Sequence, residues 1–101
     1  MRSKKDYLKE KKETEIAMEM VDFCEDQEGF SYYDLKAYAY NNDKQEWIDI
    51  LKSKKYRQFI AIYLRSKRKS DGIKYKNDFV TATNNAFEAE EKYYKRHRND
   101  V

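Results

Sequence analysis

Proline is absent from this chain, and glycine occurs only at Gly29 and Gly72. A β-sandwich or barrel needs turn residues at intervals of roughly 8–12 positions, so this scarcity excludes a many-turned all-β fold and predicts few, long elements. The two glycines stand far apart, which leaves no Gly-rich phosphate loop. Cys24 is the only cysteine and His97 the only histidine. No intramolecular disulfide and no Cys/His metal spacing can be assembled from them. No apolar run approaches the roughly 18 residues of a membrane span, and the opening MRSKKDYLKEKKE lacks the apolar stretch of a secretory signal. These absences predict a cytoplasmic protein with no membrane contact and no cofactor.

What is present is charge and tyrosine. Of 101 residues, 41% are charged and 40% hydrophobic, against typical values of about 25% and 45–50%. The length suits one domain with a single core. Ten Tyr and five Phe must supply much of that core. Tyrosine buries area while keeping a hydroxyl that needs a partner, so it suits core edges and wet interfaces alike.

The net charge of +3 hides a strong polarity. From Glu13 to Glu28 there are seven acids and no Lys or Arg, while from Lys52 to Lys76 ten bases face the single acid Asp71. Such asymmetry is a statement about partners before it is one about fold.

The periodicity predicts helices over 14–28, 31–41, 44–53, 54–69 and 78–97. In the first, Ile16, Met20, Phe23 and Gln27 form one stripe with Ala17, Val21 and Cys24 beside it, ending near Gly29 as a left-handed cap. Ser31 and Asp34 resemble a capping box, and Asp43 offers a second cap-like start after a break at Asn41-Asn42. Trp47, Ile50 and Leu51 make the next stripe, and Ser53 is a candidate cap for its successor. In that successor Tyr56, Phe59, Ile60, Tyr63 and Leu64 recur at steps of three and four. Ser70-Asp71-Gly72 reads as a turn, and Ile73-Lys74-Tyr75-Lys76 alternates like a short strand. Phe79, Thr83, Ala86, Phe87, Glu90 and Tyr94 stripe the last helix.

The expected fold is therefore all-α, a compact bundle of four to five helices containing a helix-turn-helix-like pair. Residues 14–98 form the domain, 1–13 are a charged extension or first helical turns, and 99–101 are a tail. The alternative is a winged helix with a short hairpin around 60–76.

No catalytic constellation can be assembled, so no enzyme is expected. Glu15, Glu19 and Asp22 share a helix face, which reads as a solvated acidic surface ahead of a metal site. Nucleic-acid binding is the leading expectation, with DNA ahead of RNA. Lys52, Lys54, Lys55, Arg57, Arg65, Lys67, Arg68 and Lys69 supply phosphate contacts, supported by Lys95, Arg96 and Arg98. Ser66 and Ser70 can add neutral contacts, and Tyr75, Tyr93 or Tyr94 can stack on an unpaired base.

The run Ile50-Leu51-Lys52-Ser53-Lys54-Lys55-Tyr56-Arg57-Gln58-Phe59-Ile60, following Ala37-Tyr38-Ala39-Tyr40, resembles the helix-turn-helix segment of some phage small terminase subunits. It covers under half the chain and lacks the Gly-Tyr turn and the Pro usual there. The resemblance favours DNA binding, and the expected role is a small DNA-binding regulator, or a packaging or replication accessory, of phage or mobile-element type. The competing expectation is an adaptor or inhibitor of a host protein, such as a nucleic-acid-processing enzyme, docking through Glu15, Glu19, Asp22, Glu25 and Asp26. The same polarity is compatible with a homodimer.

Overall fold

The computed structural model describes residues 3–68 and 72–96, the side chain of Arg68 excepted. They form five helices: α1 (Lys4–Glu25), α2 (Tyr32–Asn41), α3 (Gln45–Lys52), α4 (Lys54–Arg68) and α5 (Gly72–Arg96). No strand occurs among the described residues, so the all-α expectation holds and the winged-helix alternative does not. Ile60, Ile62 and Leu64 lie within α4, and Ile73 to Lys76 form the first turn of α5. Four alternating residues are too few to separate a period of 2 from one of 3.6. Tertiary contact decides it: Tyr75 stacks on Phe59, and Lys76 reaches back to α1.

α1 begins at Lys4, so residues 4–13 are its first helical turns, the second of the two readings of that segment. The Ser3 hydroxyl accepts the Asp6 N–H at 3.2 Å, a side-chain N-cap, and Tyr7 is buried against Phe87 and Tyr94. A segment with little apolar content of its own is held as helix by that aromatic anchor on α5 and by the contacts of Lys55 and Tyr56 with Glu10. α1 also stops earlier than expected, with Asp26 as its C-cap. Gly29 does adopt the left-handed region, at φ 66°, but beyond the helix end, where it turns the chain toward α2.

The Ser31–Asp34 capping box is formed in both directions. Ser31 Oγ accepts the Asp34 N–H at 3.2 Å, and Asp34 Oδ2 accepts the Ser31 N–H at 2.9 Å. Asp43 does not cap α3. It takes the left-handed turn itself, at φ 51°, and Lys44 occupies the N-cap position without a side-chain bond. Only Ser53, in extended conformation, separates α3 from α4, and its carbonyl accepts the Arg57 N–H at 2.9 Å.

The long helices set the frame. Tyr56 of α4 meets Thr14 and Glu10 of α1, while Lys67 meets Cys24 and Gln27, so α1 and α4 run parallel. Tyr7 pairs with Phe87, and Asp22 with Lys76, so α5 runs antiparallel to both. The main core joins Ala17, Met20, Val21 and Cys24 of α1 to Leu35, Ala39, Trp47, Ile50 and the α4 stripe Tyr56, Phe59, Ile60, Tyr63 and Leu64. Phe59 stacks on Phe79 with centroids 3.7 Å apart, which fastens α5 to α4. Phe23 stacks on Tyr38 at 4.6 Å and meets Trp47 edge-on, tying α1 to α2 and α3. Tyr7, Phe87 and Tyr94 form a separate small cluster. Full burial of such a side chain contributes about 1.5–3 kcal/mol, so the aromatics carry much of the stability.

Candidate nucleic-acid interface

The basic segment is divided by the geometry of α4. Buried residues Tyr56, Phe59, Ile60 and Tyr63 define its inner side, and Lys54, Arg57 and Arg65 are exposed. At 100° per residue these three bases fall on one outward stripe, with Ala61 between Arg57 and Arg65. Lys52, at the end of α3, is exposed as well.

Lys55 and Lys67 go elsewhere. Lys55 Nζ donates to Glu10 Oε1 at 2.5 Å. Lys67 lies on the inner side, where its ammonium donates to the carbonyls of Cys24 and, at 2.6 Å, Gln27. The last turn of α1 contains no base, and it carries Asp22 and Glu25 at the negative end of the helix dipole, where acids are unfavourable. Lys67 supplies the missing cation to the carbonyls. Lys76 supplies a second, donating to Asp22 at 2.5 Å and Glu25 at 2.7 Å. Burial by itself would lower the pKa of the Lys76 ammonium, but the hydrogen bonds to the two carboxylates outweigh it and the net direction is up.

Two of the five acids expected to dock a protein partner, Asp22 and Glu25, are thus engaged within the chain. Glu15, Glu19 and Asp26 are exposed. Glu15 and Glu19 border a groove with Met18, Asn84 and Phe87 between α1 and α5. Cys24 is fully buried; burial raises its thiol pKa to about 11 against a smaller lowering by Lys67, so it stays protonated at neutral pH.

Lys95 lies 3.8 Å from Glu91, and Arg96 is exposed. Both sit where α5 meets the start of α1, at the opposite end of the bundle from Arg65. Lys69, Ser70, His97 and Arg98 lie outside the described residues, as does the Arg68 side chain.

The tyrosines expected to stack are occupied or buried. Tyr75 lies on Phe59, Tyr94 is in the small cluster, and Tyr93 packs edge-on against Tyr94. The accessible tyrosines are on α2 instead: Tyr33 is 79% exposed and Tyr40 48%, at i and i+7 with exposed Lys36 between them. Their position outside the α2 stripe Tyr32, Leu35, Tyr38 and Ala39 was the available signal.

Tyr33 borders a groove of about 410 Å³ shared with Ser31, Tyr32, Ala61, Leu64 and Arg65. Burial raises the pKa of the Tyr32 hydroxyl, against a smaller lowering by Arg57. α3 presents a different surface. Its exposed residues are Gln45, Glu46, Asp49 and Lys52, and two acids make it a poor helix for lying along phosphates. The three-residue α2–α3 connection has the length of a helix-turn-helix turn, yet the positive stripe belongs to α4.

Among the described residues no helix is long and apolar enough to cross a membrane. No protein-family model, curated protein or solved structure matches this chain.

Proposed function

We propose that this chain is a non-catalytic nucleic-acid-binding protein that holds phosphates on the outward face of α4. The reading is carried by the alignment of Lys54, Arg57 and Arg65 along that face, in a segment with no acid from Leu51 to Ser70. Lys67 and Lys76, by contrast, are committed to the end of α1. Phosphate binding needs cations on one surface, attached to an element that the core keeps rigid. α4 has that character, because its opposite side, Tyr56, Phe59, Ile60, Tyr63 and Leu64, is buried in the main core.

Binding of labelled oligonucleotides at low salt tests this reading. The triple variant Lys54→Glu, Arg57→Glu, Arg65→Glu is expected to bind at least tenfold more weakly and to lose about two to three units of salt slope. Lys92→Glu, on the outer side of α5, is expected to change little. Absence of binding by the unmodified chain at low salt refutes the proposal. The adaptor reading then takes its place, supported by exposed Glu15 and Glu19 flanking Met18 in the α1–α5 groove. Its test is binding of a basic partner and loss of that binding in Glu15→Lys, Glu19→Lys.

A further inference from the structure

We infer that the ligand is an unpaired strand, DNA or RNA, with one base stacked on Tyr33 in the groove between α2 and α4. This rests on the nucleic-acid reading above and adds the strand class to it. Tyr33 is the most exposed large hydrophobic side chain among the described residues. Its ring meets that of Tyr32 edge-on at 5.9 Å, and its 79% exposure leaves ring surface open to a ligand. The ring shares its groove with Arg65 and with the small Ala61, and exposed Arg57 stands about two turns earlier on the same outward stripe of α4. A flat π-surface with one guanidinium in its groove and a second along the same helix face is what a single strand requires, with stacking for a base and cations for the flanking phosphates. A duplex keeps its bases stacked on one another and offers no free face to Tyr33. Charge complementarity selects a polyanion, and the aromatic ring selects one whose bases are exposed. Duplex reading by insertion of α3 is disfavoured by Glu46 and Asp49 on its outer side.

The test compares oligo(dT), oligo(U) and a mixed-sequence duplex of equal length by fluorescence anisotropy, for the unmodified chain and for Tyr33→Ala, Tyr33→Phe and Arg65→Glu. The expected result is tighter binding of at least one single strand than of duplex. Tyr33→Ala should weaken single-strand binding about tenfold, a loss within the range for one base–aromatic stack. It should leave the salt slope and the duplex affinity unchanged, and Tyr33→Phe should restore binding. Arg65→Glu should weaken every ligand and flatten the slope. Tyr33 is exposed, so its truncation leaves the core packing untouched, and helical circular dichroism of the variant checks it. Duplex bound as tightly as single strand, or Tyr33→Ala without effect, overturns this inference and leaves the phosphate-binding function standing. Failure of all three ligands to bind overturns both.

Discussion

Lys67 Nζ lies 2.6 Å from the carbonyl oxygen of Gln27 and also donates to Cys24. A residue from the most basic stretch of the chain thus closes the end of the most acidic helix. The bond changes what Lys67 is for, since an ammonium engaged by two carbonyls is withdrawn from phosphate.

Lys67→Met is expected to destabilise the fold by about 1–3 kcal/mol, the range for losing hydrogen bonds to a charged group. Arg65→Glu, two residues away but outward, should stay within about 0.5 kcal/mol. Urea denaturation of the two variants measures the contrast. Equal stability would mean that Lys67 does not hold α1.

Gly72→Ala should also destabilise, although alanine favours helix over glycine by about 1 kcal/mol. A Cβ at 72 would stand 2.8 Å from Lys67 Cα and 3.0 Å from its Cβ. The obstacle is backbone, so α5 must shift away from α4 at a cost of about 1–3 kcal/mol. A rise in melting temperature would contradict this close approach.

Stability should fall in alkali in a definite window. Burial raises the Cys24 thiol from 9.0 to about 11. It likewise raises the Tyr63 hydroxyl from 10.0 to about 12, with Glu25 adding to the rise and Lys76 opposing it. Lys76 is raised from 10.5 by its carboxylate partners against the opposing effect of burial. Each group holds its proton more tightly in the folded state, so each contribution is complete below the unfolded pKa and is lost as pH rises through the folded one. Denaturation midpoints should therefore be flat near neutrality and drop between about pH 9 and 12. Cys24→Ala should remove the earliest part of that drop. A flat profile to pH 12 would refute the assignment.

Tyr7→Ala should loosen the molecule locally. Tyr7, Phe87 and Tyr94 are separate from the main core, so hydrogen exchange should quicken over 4–12 and 85–96 while amides of 56–64 keep most of their protection. Uniform loss of protection would mean that the two clusters unfold as one.

Much of the fold was legible because its helices carry unambiguous stripes. All five residues of the Tyr56–Leu64 stripe are buried, and the Ser31–Asp34 box is formed. The boundaries that escaped depend on distant partners: residues 4–13 are helical because Tyr7 finds α5, and 72–77 because Tyr75 finds Phe59. The basic cluster was legible as composition, but not in its division. A signal for that division was present. Lys67 continues the spacing of Tyr56, Ile60 and Tyr63, and Lys76 stands three residues before Phe79 and seven before Thr83. A lysine on a buried stripe at a helix end is a candidate for an internal partner before an external one. The open tyrosines were missed for the converse reason, since richness in Tyr says nothing of which rings the core consumes.

The arrangement at the end of α1 also bears on synthesis. The acidic helix leaves the ribosome with its carboxylates crowding its own negative pole, and the two ammonium groups that relieve this arrive some forty to fifty residues later, on α4 and α5. A nascent chain arrested before Lys67 therefore lacks both counterions, and α1 should consolidate only once Lys67 and Lys76 have emerged.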